Sequence, residues 1–120
     1  YAAYFSQLCA LPAVLINPVV DAEPLFRSLL EQNIENTYTG ERYRFRYDDL
    51  EHLAKIQSLN IKNSELIFNL LETGDEVLDY RLAEKKYKIC RQKIFQGGDH
   101  RFQNFEICLP EIIQFYNSAS

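Results

Sequence analysis

The sequence predicts an α/β fold, a parallel sheet flanked by helices, and three observations predict it. Short apolar runs of strand length recur near residues 13–16, 65–71 and 89–95. Segments with helical spacing of apolar residues alternate with them. The two later runs each end in a glycine-bearing turn, Thr73-Gly74-Asp75 and Gly97-Gly98-Asp99-His100. A hydrophobic share of 47% and a charged share of 25% over 120 residues suit one globular domain and no more.

Residues 1–10 (YAAYFSQLCA) carry no helix breaker and suit the buried second half of a helix, which Leu11-Pro12 stops. Ala13 to Ile16, bounded by Pro12 and Asn17-Pro18, suits a strand buried on both faces. Asp21 is placed to cap a helix with Pro24 in its first turn, and Leu25, Phe26, Leu29 and Leu30 supply its apolar face. Residues 33–40 are polar and turn-like, and Tyr43, Phe45 and Tyr47 then alternate with Arg42, Arg44 and Arg46 as in a half-exposed strand. Asp48 with Glu51 resembles a capping box, opening a helix with Leu50, Leu53 and Ile56 inward. After the strand at 65–71, residues 79–88 read as a helix with Leu82, Ala83 and Tyr87 inward. The strand at 89–95 follows, and a last helix is expected to start at Pro110 and bury Ile112, Ile113 and Tyr116. No internal repeat, low-complexity tract or domain linker interrupts this order.

Composition excludes several function classes. No run approaches the roughly 18 apolar residues of a membrane helix, and no signal-peptide pattern is visible. A net charge of −4 argues against a nucleic-acid partner, and the lysines and arginines at 85–93 read as a solvated face. The three cysteines, Cys9, Cys90 and Cys108, have no C-x-x-C spacing, which argues against a disulfide framework or zinc and for a reducing cytoplasm. Neither a cofactor nor a metal is expected, because Asp75, Asp99 and His100 follow no ligand motif. The chain has no Met and begins at Tyr1, so a processed or cut-down chain is expected.

In an open parallel sheet, functional groups gather at the carboxyl ends of strands. Asp75 and His100 stand at two successive ends, with one helix and one strand between them, as a right-handed crossover needs. An aspartate so placed can accept a hydrogen bond from the imidazole, fix its tautomer and stabilise its protonated form. Taken alone, Asp75 is more often a turn residue or cap, and a single histidine in a glycine-rich loop is more often structural or exposed. The pairing of the two is what points to chemistry. His52, on a charged helix, reads as a surface residue.

The segments LPAVLINPVV (11–20), YTGERY (38–43), LLETGDEVLDYR (70–81) and CRQKIFQGGDHRFQNFE (90–106) resemble the YqiA-type esterases, a small, cap-bearing branch of the α/β-hydrolase fold. The resemblance runs from Tyr1 to about Tyr116. It implies that Asp75 is the acid and His100 the base of a serine triad acting on carboxylic or acyl-CoA esters, and that residues 21–63 form the cap insertion. The family's usual Asn before that histidine is Asp99 here. The family order is Ser, Asp, His, with Ser in a strand-to-helix elbow. None of Ser6, Ser28, Ser58, Ser64, Ser118 and Ser120 has that context, so the nucleophile and the oxyanion hole are expected upstream of Tyr1.

The partner so implied is a small ester or thioester, with neither nucleic acid nor membrane. A strand at 13–16 lacking a neighbour would also leave an edge open to self-association. The aromatics Tyr38, Tyr43, Phe45 and Tyr47 either pack the insertion or line a pocket, and packing is the commoner use. The arginines at 42, 44 and 46 either attract an anionic substrate or form a solvated strand face. The competing overall reading is a non-catalytic α/β-hydrolase remnant with a structural or interaction role.

Overall fold

The structure is a computed structural model describing residues 1–119. The chain divides into two compact units, one formed by Tyr1–Val20 with the chain from Asn60 onward, the other by Asp21–Leu59.

The first unit is built on three parallel strands, β1 (Ala13–Ile16), β4 (Ile67–Glu72) and β5 (Arg91–Phe95), in the order β1-β4-β5. Ala13 pairs with Ile67 and Phe68 with Arg91, so β4 is central. All six residues of β4 are buried, as expected of a strand covered on both faces. Its period of two sends Ile67 and Leu71 into one core with Leu15, Ala83, Tyr87 and Cys90. Phe68 and Leu70 enter the other, with Phe102, Cys108 and Phe115. The strand starts two residues later than its sequence pattern suggests, because Ser64–Leu66 winds into a 3₁₀ turn, and it ends one residue later.

β1 corrects an expectation. It is an edge strand among the described residues, so Leu15 is buried while Ile16 is exposed. Helix α1 (Ala2–Cys9) is present, but Phe5 and Leu8 are exposed and only Ser6 is buried. A run apolar all round does not specify which face a helix will cover. Here the Ser6 and Gln7 side chains face residues 62–66, where they bond to backbone groups.

Helix α4 (Tyr80–Lys86) is capped by the Asp79 carboxylate, which accepts the Arg81 N–H. Ala83 and Tyr87 face the core, but Leu82 is exposed, one step off that face. Helix α5 (Phe105–Ala119) starts five residues before Pro110 and keeps the proline inside it. A proline there forgoes one backbone hydrogen bond. Cys108 and Phe115, buried on either side of it, hold the helix in place. Their spacing puts Ile113 and Tyr116 outward rather than inward, while Ile112 packs against the same core.

The second unit contains α2 (Glu23–Ser28), an antiparallel pair of β2 (Asn33–Glu35) with β3 (Arg42–Arg44), and α3 (Tyr47–Gln57). The polar stretch expected to be only a turn therefore begins with a strand. Asp21 does not cap α2; Ala22 holds that position without a side-chain bond. In α3 the expected Asp48–Glu51 box is replaced by Asp49, which accepts the Arg46 N–H. Phe45 stacks on Phe26 with ring centroids 4.9 Å apart, whereas Tyr38, Tyr43 and Tyr47 are exposed. No helix among the described residues is long and apolar enough to cross a membrane.

Candidate active site

The turns after β4 and β5 lie side by side because the two strands are adjacent and parallel. Backbone bonds join them: the Thr73 N–H donates to the Phe95 carbonyl, and the Gly74 N–H to that of Gly97. The approach is close enough to require glycine. A Cβ on Gly74 would lie 2.4 Å from the Gly98 carbonyl oxygen.

Across this junction the imidazole of His100 meets the carboxylate of Asp75, with Nδ1 2.9 Å from Oδ2 and 3.2 Å from Oδ1. The structure thus brings together the two residues that the sequence singled out. The Asp75 side chain is 2% exposed and that of His100 39%, so the acid is enclosed while the base can be reached. Oδ1 of Asp75 also accepts the N–H groups of Val77 and Leu78, each at 2.9 Å. Burial pushes the Asp75 carboxyl up, but the bonds from His100, Leu78 and Val77 outweigh it, and the carboxyl ends below its usual range. An ionised Asp75 selects the tautomer with the proton on Nδ1, which leaves the Nε2 lone pair free to accept.

Several residues that the sequence reading passed over hold this pair. Glu72, the last residue of β4, is fully buried. Its Oε2 accepts the Asp99 N–H at 2.7 Å, and its Oε1 accepts the Asn104 N–H at 2.9 Å and Asn104 Nδ2 at 2.7 Å. Asn17, at the end of β1, takes a left-handed φ of 42°, which asparagine tolerates. Its Oδ1 accepts the Glu72 N–H, and its Nδ2 donates to the carbonyls of Asp99 and His100. Oε2 of Glu76 accepts the His100 N–H at 3.1 Å. One signal for Glu72 exists in the sequence: it continues the period of Phe68 and Leu70, which places its side chain inward.

The Asp99 carboxylate does not serve the imidazole. It accepts from the Arg101 N–H and from Gln103 Nε2, capping its own turn. No group of three His, Cys, Asp or Glu able to hold a metal occurs among the described residues. An open groove of about 320 Å³ runs along residues 75–81 beside Thr73. Among its charged lining residues, Asp79 and Arg81 pair with each other at 2.8 Å. Elsewhere, Arg91 and Lys93 both pair with Glu111, which offsets one of their two charges. His52 is exposed on α3.

The profile of the uncharacterised protein family UPF0227, the YqiA-like family, matches residues 1–117. The chain belongs to this family. The α/β-hydrolase placement is consistent with UPF0227, and the parallel sheet β1-β4-β5 with its flanking helices is an α/β fold. In this UPF0227 chain the strands give Asp75 and His100 their positions, and the buried network around Glu72 and Asn17 surrounds them.

Proposed function

We propose that this protein is a serine esterase or thioesterase, in which Asp75 and His100 are the acid and base and a serine upstream of Tyr1 is the nucleophile. The observation that supports the reading is the Asp75–His100 hydrogen bond between an enclosed carboxylate and a reachable imidazole at adjacent strand ends. With the Nδ1 proton held by Asp75, Nε2 accepts the serine hydroxyl proton as Oγ attacks the carbonyl carbon of the ester. The imidazolium then gives that proton to the departing alcohol or thiol, leaving an acyl-enzyme. Water enters by the same two steps and releases the acid. Asp75 stays ionised throughout, in keeping with the bonds that hold its carboxyl below the usual range. Residues 21–63 are the insertion before the acid-bearing strand in this reading.

The test is hydrolysis of a short-chain p-nitrophenyl ester by the chain with and without its upstream segment. Serine-dependent turnover is expected with the segment and background without it. Clear hydrolysis by the 120-residue chain would overturn the reading, since another residue would then be the nucleophile. For the 120-residue chain without its upstream segment, the β1 edge, unpaired among the described residues, supports a second proposal, that it self-associates. Sedimentation velocity should show species larger than a monomer, and Ile16→Lys on that edge should reduce them. A uniform monomer overturns that proposal.

A further inference from the structure

We propose that Glu72 is a positioning residue for His100, its buried carboxylate fixing the loop that carries the imidazole. The inference rests on His100 being the base. Glu72 does not touch the imidazole. It grips the chain on both sides of it, at Asp99 through Oε2 and at Asn104 through Oε1. Asn17 closes the same circuit, accepting the Glu72 N–H and donating to the carbonyls of Asp99 and His100.

The chemistry of the position argues for a role beyond filling space. Phe68 and Leu70 share its face of β4 and sit in an apolar core, where another apolar residue would avoid burying a charge. The carboxylate is there with neutral amide donors as its partners, and three of their hydrogen bonds converge on it. Burial pushes its carboxyl up, yet the bonds from Asn104, Asp99 and Gln103 outweigh that, and Glu72 stays below the usual range. The backbone has also made room for it. A Cβ on Gly98 would lie 1.7 Å from Oε2, so the carboxylate occupies space that any other residue at 98 would fill. Gly98 itself has a φ of 74°, a conformation that suits glycine. Within the loop, Phe102 takes a left-handed φ of 65° and is buried against Phe95. The histidine loop is therefore held at Asp99, at Asn104 and, between them, by Phe102 in the core.

Two variants in the protein carrying its upstream segment test this. Glu72→Gln keeps the shape but offers one acceptor oxygen and one NH₂ donor. Whichever way the amide turns, either the Asp99 or the Asn104 N–H meets a donor. Glu72→Ala removes both grips. Two quantities are measured on each: the NMR signal of the His100 Nδ1 proton, which reads its bond to Asp75, and kcat with KM for ester hydrolysis. The imidazole proton signal should weaken in Glu72→Gln and vanish in Glu72→Ala. Turnover should fall about 10-fold and about 100-fold, with KM within about twofold, as misplacement by roughly 1 Å would give. Because Glu72 acts only through the base, Glu72→Gln should add nothing to the loss already caused by His100→Ala. A folded Glu72→Ala protein with the imidazole signal and kcat unchanged overturns the proposal. If Glu72→Ala does not fold, Glu72→Gln decides by the same two readouts. A Glu72→Gln protein that also fails to fold overturns it, by assigning Glu72 to the fold. Absence of any ester hydrolysis removes the enzymatic reading, while the imidazole signal still decides whether Glu72 sets the histidine.

Discussion

At the carboxyl end of the parallel sheet, Glu72 and Asp75 are enclosed carboxylates that each accept several N–H groups. In the segment 21–59 the carboxylates of Glu31 and Glu35 instead pair with Arg44 and Arg42 at the surface. The two regions use the same kinds of residue to opposite effect. An enclosed carboxylate cannot exchange its partners for water, so its geometry is fixed and losing one donor is expensive. An exposed pair gives up little when it opens, since water and salt replace the partner. Position is therefore enforced at the sheet end, while the arginine pairs of the second unit are replaceable.

The strongest way to break this comparison is at the pair itself. In the protein with its upstream segment, His100→Ala should lower kcat by about 10⁴-fold or more, and Asp75→Asn by about 10³- to 10⁴-fold. Steady-state kinetics on the p-nitrophenyl ester measure both. Serine-dependent activity that survives His100→Ala would remove the base from our scheme.

Acid should act next, on the buried carboxylates of the first unit. The carboxyls of Glu72 and Asp75 sit below their ordinary values of 4.5 and 3.8 when folded. The stability they contribute is complete above those ordinary values and is lost as the pH falls through the lowered folded ones. Thermal unfolding followed from pH 7 to 2 should show melting temperature dropping below about pH 4.5, and Glu72→Gln should flatten that drop. An unchanged acid limb in Glu72→Gln would mean that Glu72 is not held as an anion.

Two glycines sharpen the contrast in packing. Gly74→Ala would drive a Cβ to 2.4 Å from a backbone oxygen, and about 3 kcal/mol of destabilisation is expected. Gly40, with a φ of 72° and nothing within 4 Å of its Cβ position, meets only backbone strain, about 1 kcal/mol. Denaturant unfolding of the two variants compares them directly, and equal losses would contradict the tight junction. The smallest effect should be Arg42→Ala. The Arg42–Glu35 pair is 77% and 53% exposed, so its loss should change stability by less than about 1 kcal/mol, vanishing at high salt.

Much of the fold and the pair at its edge could be read in the residues. Strand runs at 13–16 and 65–71 ended where proline or glycine turned the chain, and those signals are local. The helix read over 79–88 is present as Tyr80–Lys86, with Asp79 as its cap. The misplaced features share a cause. Pro110 looked like a helix start, but Cys108 and Phe115 bury on either side of it, and that burial outweighs one missing hydrogen bond. Residues 33–35 looked like a turn because the strand is only three residues long, a single apolar Ile34 between exposed Asn33 and Glu35, too short to show an alternation. Leu82 and Phe5 looked inward because an apolar residue states a preference for burial and not a direction.

The sequence by itself determined the α/β order, the parallel strands and the placing of Asp75 and His100 at successive strand ends. These follow from periodicity and turn chemistry, which act over a few residues. The tertiary structure alone decided that Asp75 would be enclosed and His100 reachable, and that Glu72 and Asn17 would tie the histidine loop down. Asp99 is 27 residues from Glu72 in the chain, and Asn17 is 55 from it. No local pattern reports on partners that distant; they become neighbours only when β1, β4 and β5 align and bring their carboxyl ends to one edge.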